Sequence, residues 1–468
     1  MVPPPAAAAR RSLSLDHEMF LDFLVLVLSC LPCVADRESF ASVCTLWRRA
    51  AGLSDAPPLP GQLPWAIFPS ATAVSTVFSI LSASSRRIYL PTELVGARFC
   101  GSHPGAWVAA TGAGHAPGGG NVAVNILSRE MVPLPNKKLV PLSRRRRAIE
   151  LLEGEGPEPW ISQRAMKDVV VRAIAFSDAP NSPDCVAAAI TQGVYQPSVA
   201  LCWLGAETQH WAVPWWIPPG VQDLVFLEGG GSMRPSFYLI TSWDFLFVAS
   251  FVDDEQIMVH NCKVQWPADD MLPTLPANVY TSRYLVVSRG RLLMVRRYYS
   301  YSQRDGTHQT MLFRVFELQN QTLESWLELG SLDSRALVLA RCSSRAFELP
   351  AANSEIKPGS IFFLDDITFG DSVAATNDKQ YNPNDMSVYY KDEPGFTWPH
   401  LCSNLFGVKN IVAFLKHEGK MEIMLFENLQ ELETYVGDKP IEVEIKGCIR
   451  RFNWQQASKC PTPIWFAH

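Results

Sequence analysis

The chain has 468 residues, 47% of them hydrophobic and 11% aromatic, which excludes a disordered protein and is enough for a large core. A formal net charge of −5 gives no general affinity for nucleic acid or for an anionic membrane. The 11 cysteines are an odd number scattered along the chain, so they favour a reducing compartment over a disulfide framework.

The N-terminal part predicts a low-complexity tail over residues 1–14 and a small helical module over residues 15–52. An apolar run from Phe23 to Leu31 comes first, and Asp36 is a plausible N-cap for a following helix. The apolar side chains of that helix have the i, i+3, i+4, i+7 spacing of one face: Phe40, Val43, Cys44 and Trp47. Gly52 and the prolines of a Pro-rich linker, residues 53–63, end the helical pattern.

An export signal is the alternative interpretation of the same segment. Arg10 and Arg11 precede the apolar run, and residues 33–35 loosely resemble a small-residue cleavage site. The run is too short to span a bilayer, which needs about 20 apolar residues. Against export, Asp16 and Glu18 put acidic charge ahead of the run, and the helical pattern continues beyond Ala35.

Four short motifs of the helical module resemble an F-box: Leu31-Pro32, Ala35-Asp36-Arg37, Val43-Cys44 and Trp47-Arg48. In that family the helices bind a Skp-type adaptor, which joins them to a cullin-RING ubiquitin ligase. The resemblance implies the following adaptor-binding residues: Phe23, Leu24, Leu28, Leu31, Pro32, Val43, Cys44 and Trp47. Residues 19–23 depart from the usual Leu-Pro-x-Glu/Asp-Leu start of the family.

Beyond the linker, residues 64–468 predict many short strands with turn signals between them. Arg289-Gly290 separates two strand-like runs, and a second hairpin is predicted with its turn at residues 417–420. Repeated blades protect the edges of so many strands economically. The predicted fold is therefore mainly β, a large β-propeller of six to eight blades that follows the small all-α module.

Several landmarks of this region resemble, in order, the kelch-like propeller of a large plant F-box family of the KIB type. They are Leu63–Trp65 with Ile88–Pro91, Gly101–Val108, Ile361–Asp366 and Pro463–Phe466. The resemblance implies a substrate-recognition subunit of a Skp-cullin-F-box ligase, located in the nucleus, the cytoplasm or both. Its propeller would recruit a protein for ubiquitination.

The motif search gives no catalytic residue, metal site or cofactor. Neither a Gly-x-Ser-x-Gly elbow nor a His-Glu-x-x-His helix occurs. Cys30 and Cys33 have redox-motif spacing without its strand-then-helix setting, and the glycine-rich residues 112–120 lack the Lys-Ser/Thr of a phosphate loop. We expect a non-enzymatic protein, with no nucleic-acid or membrane partner.

Some interpretations stay open at this point. Arg144–Arg147 fits a nuclear import signal or a solvated loop, and the tryptophans 203, 211, 215 and 216 fit blade cores or a binding patch. An exported propeller enzyme or lectin, with residues 1–35 as its signal peptide, is one alternative function. A propeller scaffold whose degenerate F-box no longer binds the adaptor is another.

Overall fold

The structure is a computed structural model of the chain, and the residues it describes are these: 20–31, 34–52, 64–68, 72–79, 84–113, 120–141, 164–191, 198–207, 209–214, 216, 218, 220–228, 236–252, 257–266, 279–302, 307–320, 324–349, 356–364, 387–390, 406–417, 420–436, 441–452 and 464–466. Pro32, Cys33, Trp215, Arg144–Arg147 and most of residues 112–120 lie outside them. Among the described helices, none is long and apolar enough to cross a bilayer.

Four α-helices and one 3₁₀ helix are described. Helix α1 covers residues 20–29, α2 is Val34–Ser42, α3 is Thr45–Ala51 and α4 is Leu429–Val436, with the 3₁₀ helix at Thr92–Leu94. Gly52 caps α3, where its N–H bonds to the carbonyls of Arg48 and Arg49.

The strands in chain order are β1 (Trp65–Phe68), β2 (Val74–Ser79), β3 (Ser84–Tyr89), β4 (Arg98–His103), β5 (Trp107–Ala113), β6 (Gly120–Asn125), β7 (Met131–Leu134), β8 (Lys137–Pro141), β9 (Arg164–Asp168), β10 (Val171–Phe176), β11 (Val186–Thr191), β12 (Ser198–Trp203), β13 (Trp211–Ala212), β14 (Val221–Phe226), β15 (Ser236–Thr241), β16 (Leu246–Phe251), β17 (Ile257–Asn261), β18 (Val279–Ser288), β19 (Arg291–Ser302), β20 (Thr307–Asn320), β21 (Glu324–Glu328), β22 (Arg335–Leu339), β23 (Arg345–Glu348), β24 (Ser360–Phe363), β25 (Ser387–Tyr390), β26 (Phe406–His417), β27 (Lys420–Phe426), β28 (Glu442–Phe452) and β29 (Ile464–Phe466).

These strands form six sheets, which are the blades of a β-propeller. Blade 1 has the order β29-β1-β2-β3, blade 2 is β4 to β7, blade 4 is β14 to β17 and blade 5 is β18 to β21. Blade 3 is β10 to β13, extended by β8 and β9, and blade 6 has the order β23-β22-β24-β25-β28-β26-β27. The predicted mainly β propeller is confirmed, with the lowest of the predicted blade counts.

The blades converge on a central axis through their inner strands. Contacts between these strands run from β29 to β4, β10, β14, β18 and β23. The ring is closed by the end of the chain, because β29 pairs antiparallel with β1 and sets Phe466 opposite Trp65. This pairing covers the inner edge of β1 with a strand from the end of the chain.

Apolar clusters fill the interfaces between neighbouring blades. The pairs of buried residues that share such a cluster are Ile67 with Phe99, Trp107 with Ile174, Val199 with Leu224, Ile240 with Leu285, and Tyr284 with Leu337. Each blade is therefore stabilised by its neighbours, since removal of this apolar surface from water contributes roughly 25 cal/mol per Å².

One cation lies inside the interface of blades 5 and 6. Arg297 is fully buried; its Nε donates to Thr310 Oγ1 at 2.8 Å, and its Nη1 donates to Tyr284 Oη at 3.0 Å and to the Leu364 carbonyl at 2.8 Å. The Phe363 ring centre lies 4.6 Å from the guanidinium carbon. These contacts replace the water that the cation loses on burial.

Both predicted hairpins are present. β18 and β19 meet at Arg289-Gly290, whose φ angles of 53° and 69° are the positive pair that a type I′ turn requires. In the second hairpin, β26 and β27 pair from Ile411 with Phe426 to His417 with Lys420.

Candidate functional site

The helical module has a small apolar core of its own. Leu24 and Leu28 of α1 are buried against Phe40 of α2, and Leu31 and Trp47 pack partly buried around them. The rings of Phe40 and Trp47 lie 4.5 Å apart between centroids. Four of the predicted adaptor-binding residues, Leu24, Leu28, Leu31 and Trp47, thus contribute to the inside of the module.

An exposed apolar stripe runs along the other side of α1. Phe23 is 57% exposed and Leu26 is 66% exposed, while Phe20, one turn before Phe23, is 45% exposed. The rings of Phe20 and Phe23 contact each other, 6.3 Å apart between centroids. We call Phe20, Phe23 and Leu26 the α1 stripe. Phe20 and Leu26 were not among the predicted site residues, although their i, i+3 spacing from Phe23 was a usable signal.

The segment after Asp36 is not the one continuous helix that the spacing predicted. Helix α2 ends at Ser42, the Val43 N–H bonds to the Phe40 carbonyl, and Cys44 is extended with φ −163° and ψ 176°. Val43 and Cys44 are therefore exposed at a corner between two helices. The predicted single face for Phe40, Val43, Cys44 and Trp47 is wrong, because the break rotates α3 relative to α2.

Asp36 has a different role from the predicted N-cap. It lies in the first turn of α2, and its carboxylate forms an ion pair with Arg86 of β3. Arg86 Nη1 also donates to Ser39 Oγ at 3.4 Å. The helical module therefore contacts blade 1 through α2.

A cavity of about 330 Å³ lies where the blades converge. It is lined by residues of five inner strands and of the turn before β23, and those lining residues include no acidic side chain: Ser102, His103, Pro104, Ala175, Phe176, Ser177, Val225, Phe226, Val287, Cys342, Ser343, Ser344, Arg345, Ala346 and Phe347. Its size is at the lower end of the range for small-ligand sites.

Gly101, next to the cavity, permits the close approach of blades 2 and 3. A Cβ atom built on Gly101 would overlap the carbonyl oxygen of Ile174 in β10. The strand pairing of β4 with β5 shifts register between Phe99 and Gly101, which marks a bulge at this point.

Blades 2 and 6 supply the histidine and the arginine of the cavity wall. Arg345 Nη2 donates to the Ser102 carbonyl at 3.4 Å, and His103 Nδ1 lies 3.0 Å from the Pro104 carbonyl oxygen. Desolvation lowers the pKa of Arg345 to about 10. Desolvation, and to a smaller extent the charge of Arg345, also lowers the pKa of His103.

Next to the cavity, Asp223 joins three inner segments, one of which contains the lining residue Cys342. Its side chain is fully buried; Oδ2 accepts the Leu285 N–H of β18 at 2.8 Å, and Oδ1 accepts the Cys342 N–H before β23 at 2.6 Å. Burial raises the pKa of Asp223 to about 7, although the backbone N–H donors and the charge of Arg341 act in the opposite direction.

The tryptophan cluster divides between core and surface. Trp211 is fully buried and its Nε1 donates to the Pro135 carbonyl at 2.8 Å, as a blade-core residue would. Trp216 is exposed and contacts the Phe247 ring, whose centre is 5.3 Å away. Trp203 is partly exposed, and its Nε1 donates to the Pro183 carbonyl.

No group of three or more potential metal ligands occurs in the part of the chain that the structure describes. Blades around an axial cavity, with a small helical module on blade 1, define a β-propeller protein, a class consistent with a role in protein interaction. The KIB1-4 beta-propeller family model matches residues 77–390, and the chain belongs to this family. The match begins after the helical module.

No curated protein matches the sequence. Among solved structures, apo AztD from Citrobacter koseri is similar at 13% identity, over 67% of this chain and 94% of that chain, with a TM-score of 0.24.

Proposed function

We propose that this protein is the substrate-recognition subunit of a Skp-cullin-F-box ubiquitin ligase, with the helical module binding the adaptor and the propeller recruiting the target. Such a subunit needs no catalytic residue, because it acts by raising the effective concentration of the target near the ubiquitin-carrying enzyme. The partners are a Skp-type adaptor, through it a cullin-RING ligase, and a protein substrate. The expected location is the nucleus, the cytoplasm or both.

The observation that carries the proposal is the α1 stripe. A module of three short helices uses Leu24, Leu28 and Phe40 for its own core and still presents Phe23 and Leu26 to solvent. Large exposed apolar side chains in contact with one another mark interaction surfaces. The stripe lies in the segment whose motifs resemble an F-box, where the family binds its adaptor.

The burial pattern decides which variants test adaptor binding. Leu28 is only 2% exposed, so its truncation would disrupt the module core instead of reporting on docking. The double variant Phe23→Ala, Leu26→Ala removes exposed side chains and leaves Leu24, Leu28 and Phe40 in place. The matched control is Leu127→Ala, Val170→Ala, because these propeller residues are 66% and 54% exposed.

The measurement is the affinity of the purified full-length chain for a purified Skp-type adaptor. Truncation at an interface costs about 1–2 kcal/mol per anchoring residue, so the α1-stripe variant should bind roughly 30- to 1,000-fold more weakly, and the control as well as wild type. The proposal is wrong if the wild-type chain does not bind the adaptor. That result is the one expected for a propeller scaffold whose degenerate F-box no longer binds the adaptor. Equal affinity of wild type and the α1-stripe variant would also contradict it.

A further inference from the structure

Three large aromatic side chains lie exposed around blade 4. Trp216, Trp243 and Phe245 are 54%, 58% and 53% exposed. Trp216 contacts the ring of Phe247 in β16, the strand that begins directly after Phe245. We call Trp216, Trp243 and Phe245 the blade-4 patch. Exposed apolar groups of this size mark interaction surfaces, and tryptophan is enriched among the residues that dominate binding energy at interfaces.

The turn between β15 and β16 holds part of the blade-4 patch against the start of β14. The Ser242 N–H donates to the Gly220 carbonyl at 2.9 Å. A Cβ atom built on Gly220 would overlap Ser242 Oγ and would lie 3.5 Å from Trp243 Cζ3. Val225 and Phe226, which line the axial cavity, lie at the other end of β14. The blade-4 patch is therefore a surface separate from the cavity.

Hydrogen bonds and ion pairs fix the same turn. The Phe245 N–H donates to Thr241 Oγ1 at 3.1 Å, and the Thr241 N–H donates to the Phe245 carbonyl at 3.1 Å. The carboxylate of Asp244 forms ion pairs with Arg283 and Arg296 of blade 5, whose side chains are largely buried. A preformed turn has little conformational freedom to lose on binding, so its aromatic rings are suited to anchor a partner.

The charges next to the blade-4 patch are mainly positive in the part of the chain that the structure describes. Two cations and one anion give the cluster of Arg283, Arg296 and Asp244 a net charge of +1. Lys263 is exposed, and the register of β17 on β16, with Asn261 opposite Phe247, continues to place it opposite Phe245. The whole chain has a formal net charge of −5, so this region has the opposite sign. A partner of complementary charge carries acidic side chains beside its apolar ones.

From these observations, we propose that the blade-4 patch is the target-docking surface of the propeller, and that it binds a segment of the target protein in which large apolar side chains stand next to Asp or Glu. The apolar side chains cover Trp243 and Phe245, and the acidic ones lie near Lys263. That the bound protein is a ubiquitination target rests on the proposed function. Binding of such a segment requires no adaptor.

A random peptide library displayed on phage is the probe. It is selected on the purified full-length chain with the changes Phe23→Ala, Leu26→Ala, so that the exposed side chains of α1 cannot capture peptides. The enriched peptides should combine Trp, Phe or Leu with Asp or Glu. The most enriched peptide is then synthesised with a fluorescent label, and its affinity for wild type and variants is measured by fluorescence anisotropy.

A double variant of the blade-4 patch locates the binding. Trp243→Ala, Phe245→Ala should bind the peptide at least about 30-fold more weakly, because a few aromatic anchors supply most of the binding energy of an interface. The matched control Tyr89→Ala, Leu127→Ala removes side chains that are 72% and 66% exposed on blades 1 and 2, and it should bind as wild type does.

A charge reversal tests the acidic part of the proposal. Lys263→Glu should weaken peptide binding by about fivefold at low salt and by less at about 0.5 M salt, because salt screens exposed charges. Lys167→Glu, the same change at an exposed position of blade 3, should leave the affinity unchanged.

The proposal fails if the library yields no enriched peptide, or if the enriched peptides carry no acidic residue. It also fails if the patch variant and its control bind the peptide equally well. Should the patch variant not fold, the comparison of Lys263→Glu with Lys167→Glu decides. The patch variant should bind the adaptor with wild-type affinity, so that failure of the docking surface and failure of adaptor binding are separate results.

Discussion

Asp223 makes the propeller axis sensitive to pH in a direction that can be worked out from its surroundings. Burial raises its pKa from 3.8 to about 7 in the folded chain. Between these two values the folded state holds one proton that the unfolded state has released. The free energy of unfolding therefore decreases as the pH rises through this window, and the decrease ends above about pH 7.

The size of this effect follows from the shift. One pH unit within the window corresponds to about 1.4 kcal/mol, and the slope falls by half as the pH reaches the folded pKa, so about 2 kcal/mol of stability is lost from pH 5 to pH 7. The lowered pKa of His103 gives the opposite slope below its ordinary value of 6.5, where the unfolded state binds the extra proton. A measurement on wild type alone would mix the two contributions.

The variant Asp223→Asn separates them, since it keeps the shape and cannot titrate. Its amide oxygen can accept one backbone N–H, but its NH₂ group faces the other donor, which costs about 1–3 kcal/mol. Urea unfolding of both proteins from pH 5 to pH 8 gives the difference in unfolding free energy. We expect the unfolding free energy of wild type to exceed that of the variant most at pH 5, with the difference decreasing by about 2 kcal/mol by pH 7.

A difference that stays constant over this range, or that increases with pH, would refute the reasoning. It would mean that Asp223 is ionised throughout, because the backbone N–H donors from β18 and from the turn before β23 outweigh its desolvation. Asp223→Ala removes both hydrogen bonds at once and should be less stable than Asp223→Asn at every pH.

Two further stability predictions concern the blade interfaces, and both are checked by urea unfolding. Gly101→Ala should destabilise the propeller by on the order of 3 kcal/mol, because the new methyl group overlaps the Ile174 carbonyl. The control Gly330→Ala has open space around it and should change the unfolding free energy little. Equal effects of the two variants would show that blades 2 and 3 can separate without cost. Arg297→Met should lower the unfolding free energy by about 2–4 kcal/mol through the loss of three buried hydrogen bonds. The control Arg291→Met, at an exposed ion pair, should lower it by less than about 1 kcal/mol. A loss for Arg297→Met no larger than that of the control would contradict this account of the buried cation.

The parts of the fold that could be predicted from the sequence are those with local signals. Arg289-Gly290 between two apolar runs specifies a two-residue turn, and the structure places β18 and β19 around it. Gly101 was noted only as part of a resemblance, and its physical reason became visible with the Ile174 carbonyl against its Cα. The number of blades depends on how hairpins combine into sheets, as in blades 3 and 6. No local sequence pattern encodes this combination of hairpins.

The errors in the helical module have a local cause too. The i, i+4 spacing from Phe40 to Cys44 is compatible with one helix, and no glycine or proline interrupts residues 36–51 to indicate the break at Val43. Arg345 and Ser102 escaped notice for a different reason. They are 243 residues apart in sequence, and only closure of the ring brings them to one cavity.

The distribution of buried residues indicates that the helical module and the propeller can be perturbed separately. The module core contains only residues 21–50 with their partly buried neighbours to Ala51, and the blade-interface clusters begin at Trp65 and Ile67. The named contact between them, Arg86 with Asp36, is a partly exposed ion pair, and such pairs contribute about 0–1 kcal/mol. A change in the α1 stripe should therefore leave the axial cavity intact, and a change at Arg345 should leave the α1 stripe available. Loss of adaptor binding in an α1-stripe variant can therefore be separated from damage to the propeller.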